Sequence, residues 1–290
     1  MIINLTFDVP NSYELAPKSF DEIRNAIRRT FEVLDEIGCR QATWFIDEYG
    51  YKISERDPAL LTEISDYGEI GIHSHMNYPP WGKRNRLPRN KDIMLRQIKE
   101  ARERLQLWAS SQGLGQKQEI CSIRSGNLLT TDDYFRALSE AGMLIDSSFA
   151  AYRTRYTRRP IQLVTNLLYK FTFGYRFTDI RPVKPGTQPF FFEIRSEDKK
   201  SKFRCLEFPI HIFTLDFQRG LDLERMFFDQ LESAREINKN PIITICSHPY
   251  EFSHKETAAD FAHEFIRLFK EIKENCLFHT LSQTRDRLAI

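Results

Sequence analysis

Short apolar runs alternate with helix-period segments along almost the whole chain, and this rhythm limits the possible folds more than any other feature. "INLTFDV" (3–9), "QATWFI" (41–46), "EIGIH" (69–73), "EICSIRS" (119–125) and "LIDSS" (144–148) read as strands. Between them lie "SFDEIRNAIRRTFEVLDEIG" (19–38), "DPALLTEISDYG" (57–68), "KDIMLRQIKEARERLQLWASSQ" (91–112) and "TTDDYFRALSEAG" (130–142), which read as helices. The first helix carries its own signals: Ser19 and Glu22 form a capping box, Ile23, Ile27, Phe31 and Leu34 share a face, and Gly38 ends it. Thr130 and Asp133 read as cap residues of the fourth. Repeated strand–helix units predict a parallel sheet.

The rhythm breaks near residue 149. "PFFFEI" (189–194) and "FRCLEFPIHI" (203–212) read as strands around the charged turn "SEDKKSK". Helix "LDLERMFFDQLESAREIN" (221–238), strand "PIITICSH" (241–248), helix "ETAADFAHEFIRLFKEIKEN" (256–275) and strand "CLFHTL" (276–281) then restore it. No repeat or linker divides the 290 residues. The expected architecture is therefore one α/β domain over 1–290, a barrel with an insertion at 149–202.

The polar residues of interest fall at the C-terminal ends of these strands. They are Asp8, His73 and His75, Arg124, Asp146 and His248. In a parallel barrel those ends meet on one face, where active sites are built. In "HSH", His73 and His75 are two residues apart, so on an extended backbone they face the same side. Such a pair suits a divalent ion, zinc first, with Asp8 as the nearby carboxylate; the alternative is two ordinary hydrogen-bonded loop histidines. His248, fixed by the following Pro249, suits a general acid oriented by Glu251 or Asp146; the alternative is a turn histidine. Arg124 either pairs with Asp8 and holds it ionised or binds an anionic group of a substrate. Asn77, Trp81, Asn127 and Asp146 are the expected substrate-binding groups.

In order and spacing, "LTFDVP", "ATWFI", "GEIGIHSHMNYP", "SIRSGNLLTTDDYFRALSEAGMLIDSS" and "ITICSHPYEF" resemble the polysaccharide deacetylase family, also called NodB-homology or carbohydrate esterase family 4. The likeness covers residues 2–148 closely and 204–283 more loosely. It implies an irregular (β/α)7-type barrel, a divalent metal such as zinc, and hydrolysis of N-acetyl groups on sugars or of related amides. Residue by residue it implies Asp8 as catalytic base, His73 as a metal histidine, Arg124 as the residue positioning the base and His248 as general acid. Two positions depart from the family pattern. Val9 stands where a second aspartate, a metal ligand, usually follows the base. Asn77 stands where the second metal histidine is usual; His75 resembles a subgroup with an HxH version of that motif. The implied metal set is then Asp8, His73 and His75, with Asp8 serving as ligand, base or both. The alternatives are a non-catalytic carbohydrate-binding relative with an eroded metal site, and a metal hydrolase of another small amide.

The net charge of +2 excludes a general nucleic-acid binder. No apolar run approaches the roughly 20 residues of a membrane span. Residues 1–8 are too short for a signal, and the five cysteines are scattered without a CxxC pair. These features predict a cytoplasmic chain without disulfides. Between Arg153 and Lys184, cations are interleaved with aromatics such as Tyr156, Tyr169 and Phe173. That mixture suits a saccharide substrate carrying a phosphate or lipid link, with peripheral membrane contact as a further possibility; the alternative is a solvated basic loop with aromatics tucked under it. The oligomeric state is left open.

Overall fold

The computed structural model describes residues 1–9, 19–47, 51–52, 55–76, 90–114, 119–128, 130–151, 183–195, 202–214, 222–253 and 257–288. Strand β1 (Ile2–Val9) leads to helix α1 (Phe20–Ile37), β2 (Ala42–Ile46), α2 (Pro58–Ser65) and β3 (Gly68–Ser74). Next come α3 (Lys91–Ser111), β4 (Ser122–Ser125), α4 (Asp132–Glu140) and β5 (Ile145–Asp146). Strands β6 (Phe190–Arg195), β7 (Lys202–Glu207) and β8 (Ile212–Phe213) follow in sequence. The last units are α5 (Leu223–Arg235), β9 (Ile242–Ser247), α6 (Ala258–Ile272), β10 (Leu277–Phe278) and α7 (Leu281–Leu288).

Local sequence accounts for the clearest elements. Ser19 and Glu22 close the capping box of α1, and Gly38 takes the left-handed conformation at φ 71° that a C-cap requires. The cap of α4 is Thr131, whose side chain accepts the Tyr134 N–H at 3.1 Å, rather than Thr130, which is buried. The run 203–212 divides into β7 and β8 at Phe208–His211, because Pro209 has no N–H for the ladder. Leu281–Leu288, too polar to read as an element, forms a short helix at the N-terminal ends of the strands. Its first amides donate to Thr43 Oγ1 and Glu69 Oε2, and Asn4 Nδ2 donates to Thr284 Oγ1.

The strand order is β6-β7-β5-β4-β3-β2-β1-β9-β8, with β10 alongside β1. Every pairing is parallel except β6 with β7. Among the described residues between 149 and 202, β6 thus adds one antiparallel edge strand. The sheet curls strongly. Arg124 on β4 lies three strands from β1 and four from β9, roughly 14 and 19 Å away in a flat sheet. Its guanidinium nevertheless meets Asp8 at 2.7 Å and Cys246 at 3.1 Å. Alternation sorts the side chains of the curled sheet. Phe7 stacks on Trp44, which meets Phe31 of α1, so these faces pack against the helices. Asn4, Thr6 and Asp8 point the other way, into the barrel, and all three are buried. Among the described residues no helix is long and apolar enough to cross a membrane.

Candidate active site

The site lies inside the barrel at the C-terminal strand ends, and period-two alternation selects its members. Thr6 and Asp8 come from β1, Phe45 and then Asp47 from β2, His73 and then His75 from β3, Arg124 from β4, Cys246 and then His248 from β9. Asp8, Arg124, His73 and His248 are each less than 5 % exposed.

Arg124 is the hub. Its Nε donates to the Ser147 carbonyl at 2.8 Å, and Nη1 donates to Asp8 Oδ1 at 2.7 Å and lies 3.1 Å from Cys246 Sγ. Nη2 donates to Thr6 Oγ1 at 2.8 Å and to Ser147 Oγ at 2.9 Å. A guanidinium has five N–H groups, and these contacts use all of them. Arg124 also lies over the Phe45 ring, 4.4 Å from its centroid, and is 0 % exposed. Of the two roles open to it from sequence, the ion pair with Asp8 is therefore the one present; no N–H is left for an anionic substrate.

Burial pushes the Asp8 carboxyl up, but the Arg124 charge, then His73 and His248, and the Arg124 hydrogen bond outweigh it. Asp8 is held below the ordinary carboxylate range and stays ionised. Its other oxygen, Oδ2, has different neighbours: His73 Nε2 and His248 Nε2 each lie 3.9 Å from it, and the Cys246 thiol 3.5 Å.

His73 and His75 stand edge to face, their ring centroids 4.5 Å apart. Burial lowers the His73 pKa to about 4. Burial, then the neighbouring His73, brings His75 well below its ordinary value. Both are neutral, the form in which imidazole binds metals. Gly126, directly after β4, makes room for the second ring: a Cβ there would come within 2.4 Å of His75 Nδ1. On its other side, His75 Nε2 is 3.9 Å from Asp47 Oδ2.

His248 is oriented by Glu251. Nδ1 and Glu251 Oε1 are 2.7 Å apart, so the carboxylate holds a proton on that nitrogen and leaves Nε2 for exchange. Glu251 is fixed in turn: Oε2 accepts from Ser247 Oγ at 3.2 Å and from Thr214 Oγ1. Pro249 opens a short 3-10 turn that carries Glu251 back under the ring.

The structure thus gathers Asp8, Arg124, His73, His75, His248 and Glu251. It turns Asp146 to different partners: Oδ1 accepts from Tyr134 Oη at 2.9 Å and Ser148 Oγ at 2.7 Å. Burial raises both Asp146 and Glu207, and the Asp146 charge drives Glu207 higher still. Asp146 orients no part of His248 in this arrangement. Asn77, Trp81, the side chain of Asn127 and the basic aromatic stretch from Arg153 to Arg181 lie outside the described residues. Asp47 and Cys246 are the neighbours that sequence reading missed. Asp47 follows Thr43 and Phe45 at period two, and that parity is the signal that finds it.

Among the described residues no group of three or more His, Cys, Asp or Glu side chains is drawn tightly enough to enclose an ion. The residue types present, imidazoles and carboxylates, are ones that divalent ions accept. Three imidazole–carboxylate gaps of 3.9 Å are too long for hydrogen bonds. Donors about 2.0–2.2 Å from a shared tetrahedral ion need to close such a gap by roughly half an ångström.

No protein-family model matches the chain, and no curated protein matches it. Solved structures do. One, from Mycobacterium smegmatis and described as a polysaccharide deacetylase, is 15% identical, with a TM-score of 0.62 over 99% of this chain and 89% of that one. A second, from Parabacteroides distasonis and described as a glycoside hydrolase/deacetylase, is 13% identical, with a TM-score of 0.63 over 98% and 70%. A 4-alpha-glucanotransferase from Thermococcus litoralis is 15% identical, with a TM-score of 0.58 over 98% of this chain but 39% of its own. The chain has the α/β barrel fold shared by the solved polysaccharide deacetylases and their glycoside-hydrolase relatives.

Proposed function

We propose that this protein is a hydrolase that removes an N-acetyl group from a sugar or polysaccharide precursor. One observation carries the reading. Asp8 is fixed and ionised by Arg124 at 2.7 Å, while its other oxygen faces His73 and His248 at 3.9 Å each. A buried carboxylate with one oxygen paired to a cation and the other near two imidazoles is poised to move protons.

An acetamide is a poor electrophile, and its amine a poor leaving group, so hydrolysis needs both an activated water and a proton for the nitrogen. Asp8 takes the proton of the attacking water. His248, held by Glu251 through Nδ1, delivers a proton from Nε2 to the departing nitrogen. A divalent ion, zinc suiting these donors, would be held by His73, His75 and the carboxylates facing them, Asp8 and Asp47. Bound there it supplies Lewis-acid polarisation of the carbonyl and a lowered pKa for water. The expectation of a phosphate- or lipid-linked saccharide rests on the cations and aromatics between residues 153 and 184.

Acetate release from N-acetylated oligosaccharides in the presence of zinc is the test. Wild-type protein releases acetate, and Asp8→Asn loses about 10²–10⁴-fold in rate, the usual range for a positioned proton acceptor. Full turnover by folded Asp8→Asn contradicts the assignment. Saccharide binding with no acetate released points instead to a carbohydrate-binding protein, the reading that Val9 in place of the usual second aspartate favours.

A further inference from the structure

The sheet is weakest at β5. That strand has two residues, and in the strand order it alone joins the β6–β7 pair to β4 and the rest of the barrel. Its register pairs with β7 are Ile145 with Leu206 and Asp146 with Glu207. We propose that Asp146 and Glu207 share one proton and act as a pH-operated clamp, which holds β7 to β5 at neutral pH and releases it in alkali.

Geometry carries the inference. Neighbouring strands lie about 4.8 Å apart, and residues in register point to the same face. Asp146 and Glu207 are each 1 % exposed. Asp146 Oδ1 accepts from Tyr134 Oη of α4 at 2.9 Å and from Ser148 Oγ at 2.7 Å, and Glu207 Oε1 accepts the Phe149 N–H at 2.9 Å. The other two oxygens, Asp146 Oδ2 and Glu207 Oε2, are buried and take no hydrogen bond of ordinary geometry from a hydroxyl, amide or cation among the described residues. The two carboxyl groups hydrogen-bond to each other instead. Two carboxylates have no donor between them, so that bond needs a proton on one. Asp146, which already accepts two hydroxyls, keeps the charge, and Glu207 donates.

The surrounding groups leave the proton in place. Burial raises Asp146; the Arg124 charge on β4 opposes this, but its N–H groups are engaged elsewhere. Tyr134 on α4 and Cys205 on β7 stay protonated, pushed up by burial and then by the Asp146 charge. On β6 the register partner of Glu207 is Phe190, and Arg285 of α7 is turned to Asp286 and Cys121. The clamp also reaches the candidate site. Ser147, next to Asp146, gives Arg124 two acceptors, and Ser148 Oγ accepts the Ser125 N–H while it donates to Asp146.

Burial and the Asp146 charge hold Glu207 above its unfolded value. Its contribution is therefore full below the unfolded value and lost as pH rises through the raised one. The proton then leaves to solvent, and two adjacent buried carboxylates repel across a two-residue strand.

The test compares the parent with Glu207→Gln, whose amide donates to Asp146 at every pH. Urea denaturation and hydrogen exchange of the peptide 144–149 are each followed at about pH 6 and about pH 9. The parent's urea midpoint is expected to fall between them by roughly 0.5–1 M more than the variant's. At the higher pH, exchange in that peptide, corrected for its intrinsic rate, is expected to be at least about tenfold faster in the parent. An infrared difference spectrum at neutral pH, parent minus variant, is expected to show the carbonyl band of a protonated carboxyl. The same pH dependence in both proteins, or no such band, overturns the inference. Gln imitates the protonated acid, so a Glu207→Gln chain that does not fold also counts against it. The exchange series of the parent stands without the variant: a corrected rate that does not rise between the two pH values overturns the clamp.

Discussion

Arg124→Met lowers the stability of the fold by about 3–5 kcal/mol, the cost of leaving a buried charge without its partner. The substitution keeps the stem and removes five N–H donors at once. Asp8 loses its paired cation, and Thr6 Oγ1, Ser147 Oγ and the Ser147 carbonyl lose a donor each. The effect depends on pH in a direction the charges fix. In the parent the folded Asp8 pKa lies below the unfolded value, so its contribution is present above the ordinary carboxylate range and lost as pH falls through the folded value. Without Arg124, the upward push of burial prevails. Asp8 then contributes most below the unfolded value and loses that contribution as pH rises through the raised folded value. The gap between variant and parent therefore widens from about pH 4 to about pH 8. Urea denaturation at the two pH values reads it. Adding Asp8→Leu removes the stranded carboxylate and recovers part of the loss, because a buried ion pair removed whole costs less than one broken. A variant within about 1 kcal/mol of the parent at both pH values contradicts the network.

His248→Ala produces the largest change in chemistry. Loss of a general acid costs about 10²–10⁴-fold in rate when the leaving group is an amine, because the C–N bond does not break until the nitrogen is protonated. An activated ester such as p-nitrophenyl acetate leaves as a weakly basic phenolate and needs no such proton. The variant therefore loses most of its acetamide hydrolysis and keeps most of its hydrolysis of the activated ester. Equal losses on both substrates assign His248 a place in binding or folding instead. Glu251→Gln follows the same pattern more weakly, since Gln still reaches Nδ1 but offers no charge.

Much of the site was legible because strand periodicity and strand ends are properties of the sequence. Asp8, His73, His75, Arg124 and His248 each close an apolar run, and in a parallel barrel that is enough to bring them to one mouth. Glu251 was legible through the tight turn after Pro249. What stayed hidden depends on how far the sheet curls. Of the two roles the sequence left to Arg124, pairing with Asp8 or binding an anion, the curl that collapses three strand spacings to one hydrogen bond selects the first. Asp47 lies just past the strand "QATWFI", and its parity with Phe45 matters only once β2 is placed next to β1. Cys246 reads as a small hydrophobe in "ITICSH", yet its sulfur touches both Arg124 and Asp8. Asp146 also ends a strand, but β5 pairs with β7, and Glu207 and Tyr134 hold its side chain on that side. The last helix, "LSQTRDRL", lacks an apolar stripe because it is held by Asn4, Thr43 and Glu69 rather than by packing along its length.

The central claim is that these imidazoles and carboxylates form one centre for a divalent ion. Diffraction from zinc-soaked crystals at the zinc absorption edge tests it most directly. The expected result is a single strong anomalous peak within bonding distance of both His73 and His75, absent in His73→Ala crystals. A map without a peak at those two rings, or with its peak elsewhere on the molecule, contradicts it.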